Sequence, residues 1–339
     1  MIFRLLCRRI PLLPVLASAV ALACAGCANS GAGLASGGGA DGEAGEAGEK
    51  VRVAHVPSTA FAPLYVAEAE GYFEEAGLDV RLRKVKAGQD AAQLAAYGYV
   101  EAVATGFSTE LFEGVADGLK VKVAASMGES TGKDPSPTVL EVSKRLPDAE
   151  KVADVEDLRG RKVAVAGGGG GAAAYPLDAV LRKSGLTLRD VEVVDVPSTG
   201  MRAALADGRV EAAMPLAPFA TAVEEAGVAE PLAAPPEGTV ATGLLFGYEF
   251  AGRVTAEKFL TALRKGASDL RDKGASSRER VEVLAKATGR PPEVLRKTPA
   301  YRWDEQLTVD KEQLSKQQDA YRDAGLLDGD PVPIDDMVQ

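Results

Sequence analysis

Hydrophobic and polar residues alternate from residue 50 onward in a way that predicts strands and helices in turn. Short runs rich in β-branched residues predict four strands, and apolar residues at helical spacing predict the helices between them. The predicted strands are 51–56, 78–82, 101–105 and 121–125, and the predicted helices are 62–76 and 90–97. Strands that alternate with helices are joined by right-handed crossovers and form a mainly parallel sheet.

The same order of elements returns about 110 residues further along the chain. A strand is predicted at 162–166, a helix at 172–183 and another strand at 191–196. The motif Ala-x-Gly-x-Val-Glu-Ala occurs at 96–102 and again at 206–212. These features share one offset, so the sequence predicts two similar α/β lobes.

The remainder of the chain predicts how the two lobes are connected. An apolar run at 241–250 predicts a strand that returns from the second lobe, and helical patterns follow it. We therefore predict a bilobal α/β fold with two doubly wound, mainly parallel sheets joined by a two-crossing hinge. Small ligands bind in the crevice at the carboxyl ends of such sheets. The predicted limits are 50–140 with 241–339 for lobe 1, which includes the C-terminal helices, and 141–240 for lobe 2.

The N-terminus has the pattern of an export signal. Three arginines precede an uncharged run from 10 to 26, as in a signal peptide. That run is shorter than the ~20 apolar residues of a membrane-spanning helix. The segment 21–27 resembles a bacterial lipoprotein lipobox, which makes Cys27 the predicted lipidated residue and Cys24 the alternative. We expect residues 1–26 to be the lipoprotein signal peptide.

Residues 27–49 predict a tether between the anchor and the folded body. Fourteen of the 22 residues from 28 to 49 are Gly or Ala. Such a segment cannot bury enough apolar surface to offset the entropy of ordering, so we expect it to be flexible.

Composition and charge exclude several functions. Aromatic residues make up 5% and the formal net charge is −10, which argues against nucleic acid as a partner. Loss of the signal peptide leaves 36 basic and 49 acidic residues, a balance that anionic headgroups repel, so a lipid must hold the protein at the membrane.

Potential catalytic and metal-binding side chains are also scarce. All three cysteines lie in the first 27 residues, and His55 is the single histidine. A cysteine nucleophile in the folded body and a zinc site made of imidazoles are therefore excluded. We expect a monomer with no metal and no cofactor.

Two nearby segments carry a family resemblance. Residues 62–67, Ala-Pro-Leu-Tyr-Val-Ala, and 71–80, Gly-Tyr-Phe-Glu-Glu-Ala-Gly-Leu-Asp-Val, closely resemble the opening of the nitrate/sulfonate/taurine group of ABC-transporter substrate-binding proteins. The related thiamine-pyrimidine-binding proteins share this pattern. Residues 157–165, 205–212 and 319–327 resemble later blocks of the family. The resemblance implies a type II periplasmic-binding-protein fold, closure around a small solute and delivery to an ABC permease in the membrane.

The resemblance also implies where the solute contacts lie, because the family's contacts come from loops after strands. In lobe 1 the matching positions are His55, Ser58, Thr59, Phe61, Gln89, Asp90, Thr105, Ser108 and, at the crossing, Thr138. Each has a structural alternative. His55 can be a strand-end histidine held by the backbone, and Ser58, Thr59 and Asp90 can cap the helices that follow them.

In lobe 2 the matching positions are Gly170, Gly171, Ala172, Tyr175 and Met214. Five consecutive glycines at 167–171 precede a predicted helix, whose free N–H groups favour an anion. Many relatives have serine or threonine here, whereas this chain offers backbone groups alone. Met214 can instead be a core residue.

These residues lead to a ranked set of functions. Neutral Ser, Thr and Gln donors near helix N-termini favour a small oxyanion such as an aliphatic sulfonate, taurine or nitrate. Asp90 with the rings of Phe61 and Tyr175 favours the alternative, a thiamine-precursor pyrimidine. A ligand-sensing lipoprotein is a further alternative. Some relatives of this fold are enzymes that make the thiamine pyrimidine, but they use a cysteine-rich motif that is missing here, so we expect no enzyme.

Overall fold

The computed structural model describes residues 48–86, 91–146, 151–271 and 277–339. In these ranges the chain forms ten strands and thirteen α-helices. The strands are β1 Glu49–His55, β2 Leu78–Lys84, β3 Ala102–Gly106, β4 Val121–Ser126, β5 Leu140–Ser143, β6 Lys162–Val165, β7 Glu192–Asp195, β8 Ala212–Ala213, β9 Ala229–Ala233 and β10 Thr242–Gly247.

The helices lie between and after these strands, and the last six of the described helices follow β10 without a further strand between them. They are α1 Ala62–Ala69, α2 Tyr72–Glu75, α3 Ala91–Ala96, α4 Thr109–Ala116, α5 Ala174–Lys183, α6 Ser198–Ala206, α7 Phe219–Glu225, α8 Tyr248–Ala251, α9 Val254–Ser268, α10 Arg278–Thr288, α11 Pro292–Lys297, α12 Lys311–Asp323 and α13 Ile334–Met337. None of the helices in the described ranges is both long and apolar enough to cross a membrane.

The two five-stranded sheets have equivalent topologies. The first has the order β2-β1-β3-β10-β4, and the second has the order β7-β6-β8-β5-β9. In each sheet the first three strands are parallel and the fourth is antiparallel to both of its neighbours. Each antiparallel strand, β10 or β5, is the first strand after the chain has left the other sheet. The predicted bilobal α/β fold is confirmed.

The two crossings, 127–139 and 234–241, lie side by side between the sheets. The Ser130 N–H donates to the Thr239 carbonyl at 3.0 Å, and the Ser130 hydroxyl donates to the Pro235 carbonyl at 3.2 Å. A third segment passes over both crossings, because Arg302 forms ion pairs with Glu129 of the first and Glu237 of the second.

The core forms because the strands present apolar side chains to the helices. Helices α1 and α9 pack closely against each other, since a Cβ added at Gly266 would lie 2.3 Å from the Pro63 carbonyl oxygen. Phe73 stacks on Phe259 with the ring centroids 4.7 Å apart. Glycine at this helix crossing allows the two backbones to approach.

The strand predicted over 241–250 covers only Thr242–Gly247, and the chain then forms α8. Two further differences lie at helix boundaries. The helix predicted over 62–76 is divided into α1 and α2, because Gly71 between them has a left-handed φ of 75°. The helix predicted to begin at Ala172 begins at Ala174, because Gly168–Gly170 forms a separate 3-10 turn. Both differences arise at glycines, whose backbone freedom allows the helix to break or start late.

Candidate functional site

Loops at the carboxyl ends of the two sheets contact each other. The loop after β1 reaches the second sheet at Ser58, whose hydroxyl lies 3.5 Å from the Ala217 carbonyl oxygen. The same hydroxyl accepts a hydrogen bond from the Ala60 N–H at 3.2 Å, which caps a 3-10 turn. Ser58 therefore caps its own turn, as one reading of the sequence predicted, and also faces the opposite lobe.

The glycine loop of the second lobe packs against β3 and α4 of the first. A Cβ added at Gly170 would lie 2.5 Å from the Thr109 hydroxyl oxygen, at the first turn of α4. A Cβ added at Gly106 would lie 2.3 Å from the Cβ of Ala172. The predicted residues Gly170 and Ala172 thus lie at the contact between the lobes, and the structure is a closed form.

Helix α12 supplies a third contact, which joins both lobes. The Tyr321 hydroxyl lies 3.1 Å from the Phe107 carbonyl oxygen in the first lobe and 3.1 Å from the Gly171 carbonyl oxygen in the second. The Gln317 amide donates to the same Phe107 carbonyl and, at 2.9 Å, to the Tyr321 hydroxyl. Both side chains are fully buried on a helix that is otherwise polar.

Sequence analysis did not identify Gln317 or Tyr321 as site residues. The available signal was their spacing of four residues, which places both on one face of α12. A buried face that combines an amide with a phenol indicates polar contacts to another element, because buried polar groups need partners.

A small cavity lies between the crossings and the second lobe. Its volume of about 10 Å³ matches about one water molecule. Hydroxyl groups line much of it, and the Thr138 hydroxyl lies 3.0 Å from that of Tyr301. Its lining residues are Gly128, Ser130, Thr138, Pro176, Leu216, Pro235, Thr239, Ala241, Thr242 and Tyr301, and none of them is charged.

Thr59 carries a buried hydroxyl for which the described residues provide no hydrogen-bond partner. Its side chain follows Ser58 in the loop that faces the second lobe, and the residue is 5% exposed. A buried hydroxyl without a partner costs about 1–3 kcal/mol. Such a group is a candidate for a bond that forms only when a solute is present.

His55 lies at the end of β1 and is 2% exposed. Its Nδ1 is 2.9 Å from the Tyr65 hydroxyl, which also lies 3.3 Å from the Val56 carbonyl oxygen. Burial, with a smaller contribution from the positive charge of Lys84, lowers the pKa of His55 to about 4. His55 is therefore neutral near pH 7 and is held within its own lobe by the Tyr65 side chain, whereas the structural alternative expected the backbone.

The other predicted positions divide into three groups. Phe61 and Met214 are fully buried among hydrophobic side chains, and Tyr175 is buried with its hydroxyl donating to Gln313 Oε1 at 2.6 Å. Thr105 is half-buried in β3, and Ser108 precedes α4 without a side-chain capping bond. Gln89, Asp90, Cys24 and Cys27 lie outside the described residues, as do the predicted signal peptide and most of the tether.

Metal-ligand side chains do not cluster in the part of the chain that the structure describes: no group of three or more histidine, cysteine, aspartate or glutamate residues there is arranged to hold an ion. The contacts between the lobes instead offer hydroxyls, backbone N–H groups and carbonyls. Such groups can recognise a small solute by hydrogen bonds alone.

Family comparison agrees with this arrangement. The family described as NMT1/THI5 like matches residues 58–274, from the loop after β1 to just beyond α9. The chain belongs to the NMT1/THI5-like family. A relative, the riboflavin-binding protein RibY of Chloroflexus aurantiacus, is 30% identical over 161 residues. That match covers 46% of this chain and 42% of the relative, so the chain matches less than half of that protein's length.

Solved structures share the fold of this NMT1/THI5-like chain. The alkanesulfonate-binding protein SsuA of Xanthomonas axonopodis pv. citri, bound to MOPS, has a TM-score of 0.65 and 22% identity, covering 83% of this chain and 94% of that one. The nitrate-binding protein NrtA of Synechocystis PCC 6803 has a TM-score of 0.62 and 15% identity, covering 83% and 82%. At these identities the likeness establishes the type II periplasmic-binding-protein fold.

Proposed function

We propose that this protein is the solute-binding component of an ABC importer and has no enzymatic activity. Its lobes, 50–140 with 241–339 and 141–240, close around a solute and present it to a membrane permease. Family membership and the two-sheet fold support this function. Contacts at Ser58, Gly170 and Tyr321 support closure, because each joins one lobe to the other. A solute that contacts both lobes stabilises the closed form over the open one.

The proposed location is outside the cytoplasm, with the protein held at the outer face of the membrane by a lipid on Cys27, or on Cys24. The export and lipobox patterns of residues 1–27 support this location. We expect the folded body to act as a monomer. A receptor that only senses its solute would share these features and would differ in its membrane partner.

The solute we propose is a small oxyanion such as an aliphatic sulfonate, taurine or nitrate. The observation that carries this proposal is the contact between the N-terminus of α4 at Thr109, in one lobe, and the 3-10 turn that precedes α5, at Gly170 in the other. The N-terminal end of a helix carries a partial positive charge and unpaired N–H groups, both of which favour an anion. The hydroxyls of Ser108 and Thr59 supply further neutral donors.

The alternative solute is an uncharged heterocycle, such as a thiamine-precursor pyrimidine. The uncharged, hydroxyl-lined cavity that includes Thr138 and Tyr301 favours it, because these groups can both donate and accept. The 30% identity to a protein named as riboflavin-binding also favours a heterocycle. The two solutes need different partners in the site. An ionised sulfonate only accepts hydrogen bonds and so needs donors, whereas the heterocycle needs both donors and acceptors.

Calorimetry of the wild type and Thr59→Val separates these solutes. Valine keeps the shape of threonine and removes a buried hydroxyl without a partner, so the unliganded variant should melt at the same temperature or higher. A hydrogen bond to a charged group is worth about 1.5–3 kcal/mol, so sulfonate affinity should fall by about 10- to 150-fold. Unchanged sulfonate affinity would remove Thr59 from the site, and binding of an aminopyrimidine alone would contradict the oxyanion proposal.

A further inference from the structure

Three exposed tyrosines lie at one edge of the first sheet, by which we mean the end at which β3 begins and β10 ends. Tyr97 and Tyr99, in the turn between α3 and β3, are 67% and 66% exposed, and Tyr248, directly after β10, is 51% exposed. Strand β10 is antiparallel to β3, so its last residue lies beside the first residue of β3. The Gly247 N–H accordingly donates to the Glu101 carbonyl at 3.1 Å. We call Tyr97, Tyr99 and Tyr248 the tyrosine face.

The turn itself does not require tyrosine. The equivalent turn of the second lobe also has a left-handed glycine, with φ of 67° at Gly208 and 70° at Gly98. That turn has Asp207 and Arg209 in place of the two tyrosines, with an ion-pair distance of 3.7 Å. The same motif therefore folds with charged side chains, and the tyrosines need an explanation outside the fold.

The N-terminal segment leaves the folded body at this same edge. Val53 of β1 pairs with Ala102, the first residue of β3, so residues 49–52 extend beyond β3 at the edge where the tyrosine face lies. Arg52 Nη2 donates to the Gly98 carbonyl at 2.9 Å. Cys27 is 22 residues before Glu49 in the chain, so an anchor there would be attached to the folded body at this edge.

Charges around the tyrosine face nearly balance. Arg52 pairs with Glu101 at 2.7 Å, and Lys120 lies 5.2 Å from the centre of the Tyr248 ring. The other exposed charges on neighbouring elements include Glu49, Lys50, Glu113, Asp117, Glu249 and Arg253. The chain as a whole carries −10, so this edge approaches anionic headgroups with less repulsion than the rest of the surface.

We propose that the tyrosine face rests on the headgroup region of the membrane to which the protein is anchored. The inference rests on the lipid anchor proposed above. Tyrosine is favoured at the membrane interface, because its ring contacts apolar groups while its hydroxyl stays hydrated. Three side chains bind weakly alone, but an anchor makes the contact intramolecular and raises its effective concentration. The cleft, at the opposite edge of the sheet, then faces the surrounding solution.

The test uses the full-chain lipoprotein in vesicles of phosphatidylcholine and phosphatidylglycerol that contain headgroup-quencher lipids. A fluorophore is placed at Asp117→Cys, on the proposed contact edge, and in a matched protein at Asp207→Cys, in the equivalent turn of the second lobe. We expect at least twofold stronger quenching at position 117. Grafting the second turn onto the first, as Tyr97→Asp with Tyr99→Arg, should lower that quenching to the level seen at position 207.

Several results would overturn the proposal. Equal quenching at the two positions, or quenching that the graft leaves unchanged, would exclude a contact through the tyrosine face. Quenching that falls when fewer protein molecules share each vesicle would identify a contact between copies of the chain instead. Failure of the protein to float with vesicles would remove the anchor on which the contact depends. The graft should leave solute affinity unchanged, so these failures are separate from failure of the receptor function.

Discussion

Gly106 and Ala172 provide a direct test of closure, because they meet only across the two lobes. Gly106 is the last residue of β3, and a methyl group added there would place its carbon 2.3 Å from the Cβ of Ala172. The next neighbour, the Ala241 carbonyl oxygen, would lie at an ordinary 3.6 Å. Gly106→Ala should therefore fit within the first lobe and collide with the second lobe in the closed form.

The size of the effect follows from that overlap. Two carbons in contact are about 3.5–4.0 Å apart, so closure of the variant requires a shift of about 1.2–1.7 Å at this point. Overpacking of a filled site costs about 1–3 kcal/mol. A tenfold change in an equilibrium is about 1.4 kcal/mol, so the closed population should fall by about 5- to 150-fold. Solute affinity should weaken by the same factor, because the solute must supply that free energy.

Small-angle X-ray scattering and calorimetry measure the two consequences. Saturating sulfonate should reduce the radius of gyration of the wild type. The same concentration should reduce the radius of gyration of Gly106→Ala by a smaller amount. The matched control is Gly106→Ala with Ala172→Gly, in which the opposing methyl is gone and both closure and affinity should recover. Equal affinities in the wild type, Gly106→Ala and the double variant would refute the closed contact between these residues.

Three further predictions concern buried polar groups. Tyr321→Phe removes the hydroxyl that joins Phe107 and Gly171. One hydrogen bond is worth about 1 kcal/mol, so solute affinity should fall by about 5- to 10-fold. Equal affinity of the variant and the wild type in calorimetry would contradict this role. Burial, and secondarily the charge of Glu224, raises the pKa of Glu141 to about 9. At pH values between the ordinary glutamate pKa and about 9, folding therefore protonates Glu141. Glu141→Gln should therefore unfold at higher urea concentration than the wild type, by a margin that grows from pH 5 to pH 8, and a constant margin would contradict the buried carboxyl. The lowered pKa of His55 predicts solute affinity without an inflection between pH 5.5 and 8, and an inflection near 6.5 in a calorimetric pH series would show that a histidine with its ordinary pKa controls binding.

The long, strongly patterned elements of the fold could be predicted from the sequence. Strand β4 lies within one residue of its predicted bounds, 121–125, and α5 ends at the predicted residue, 183, because their patterns extend over the whole element. Strands β5 and β9 were not predicted. Strand β5 has four residues and carries the buried Glu141, and β9 contains the exposed Glu230 and Pro231, so neither shows a clear apolar pattern.

The sequence predicts residues of the candidate site only where they lie in a loop after a predicted strand. Ser58 and Gly170 come after β1 and β6, and the structure brings both to the contact between the lobes. Tyr321 could not be found in this way, because its contacts depend on how a C-terminal helix packs across both sheets. Met214 follows β8 and lies in the core, because a position after a strand does not determine which face its side chain takes.

The most direct measurement of the central claim is the fluorescence of Trp303 during titration with solutes. Trp303 is the single tryptophan of the chain. Its indole N–H donates to the Ala60 carbonyl at 2.8 Å, and Ala60 packs with Ala217 of the second lobe, so the ring lies where the lobes meet. Closure around an oxyanion predicts a saturable change in emission with taurine or ethanesulfonate. A change with an aminopyrimidine alone would contradict the proposed solute, and no change with either solute would contradict closure around them.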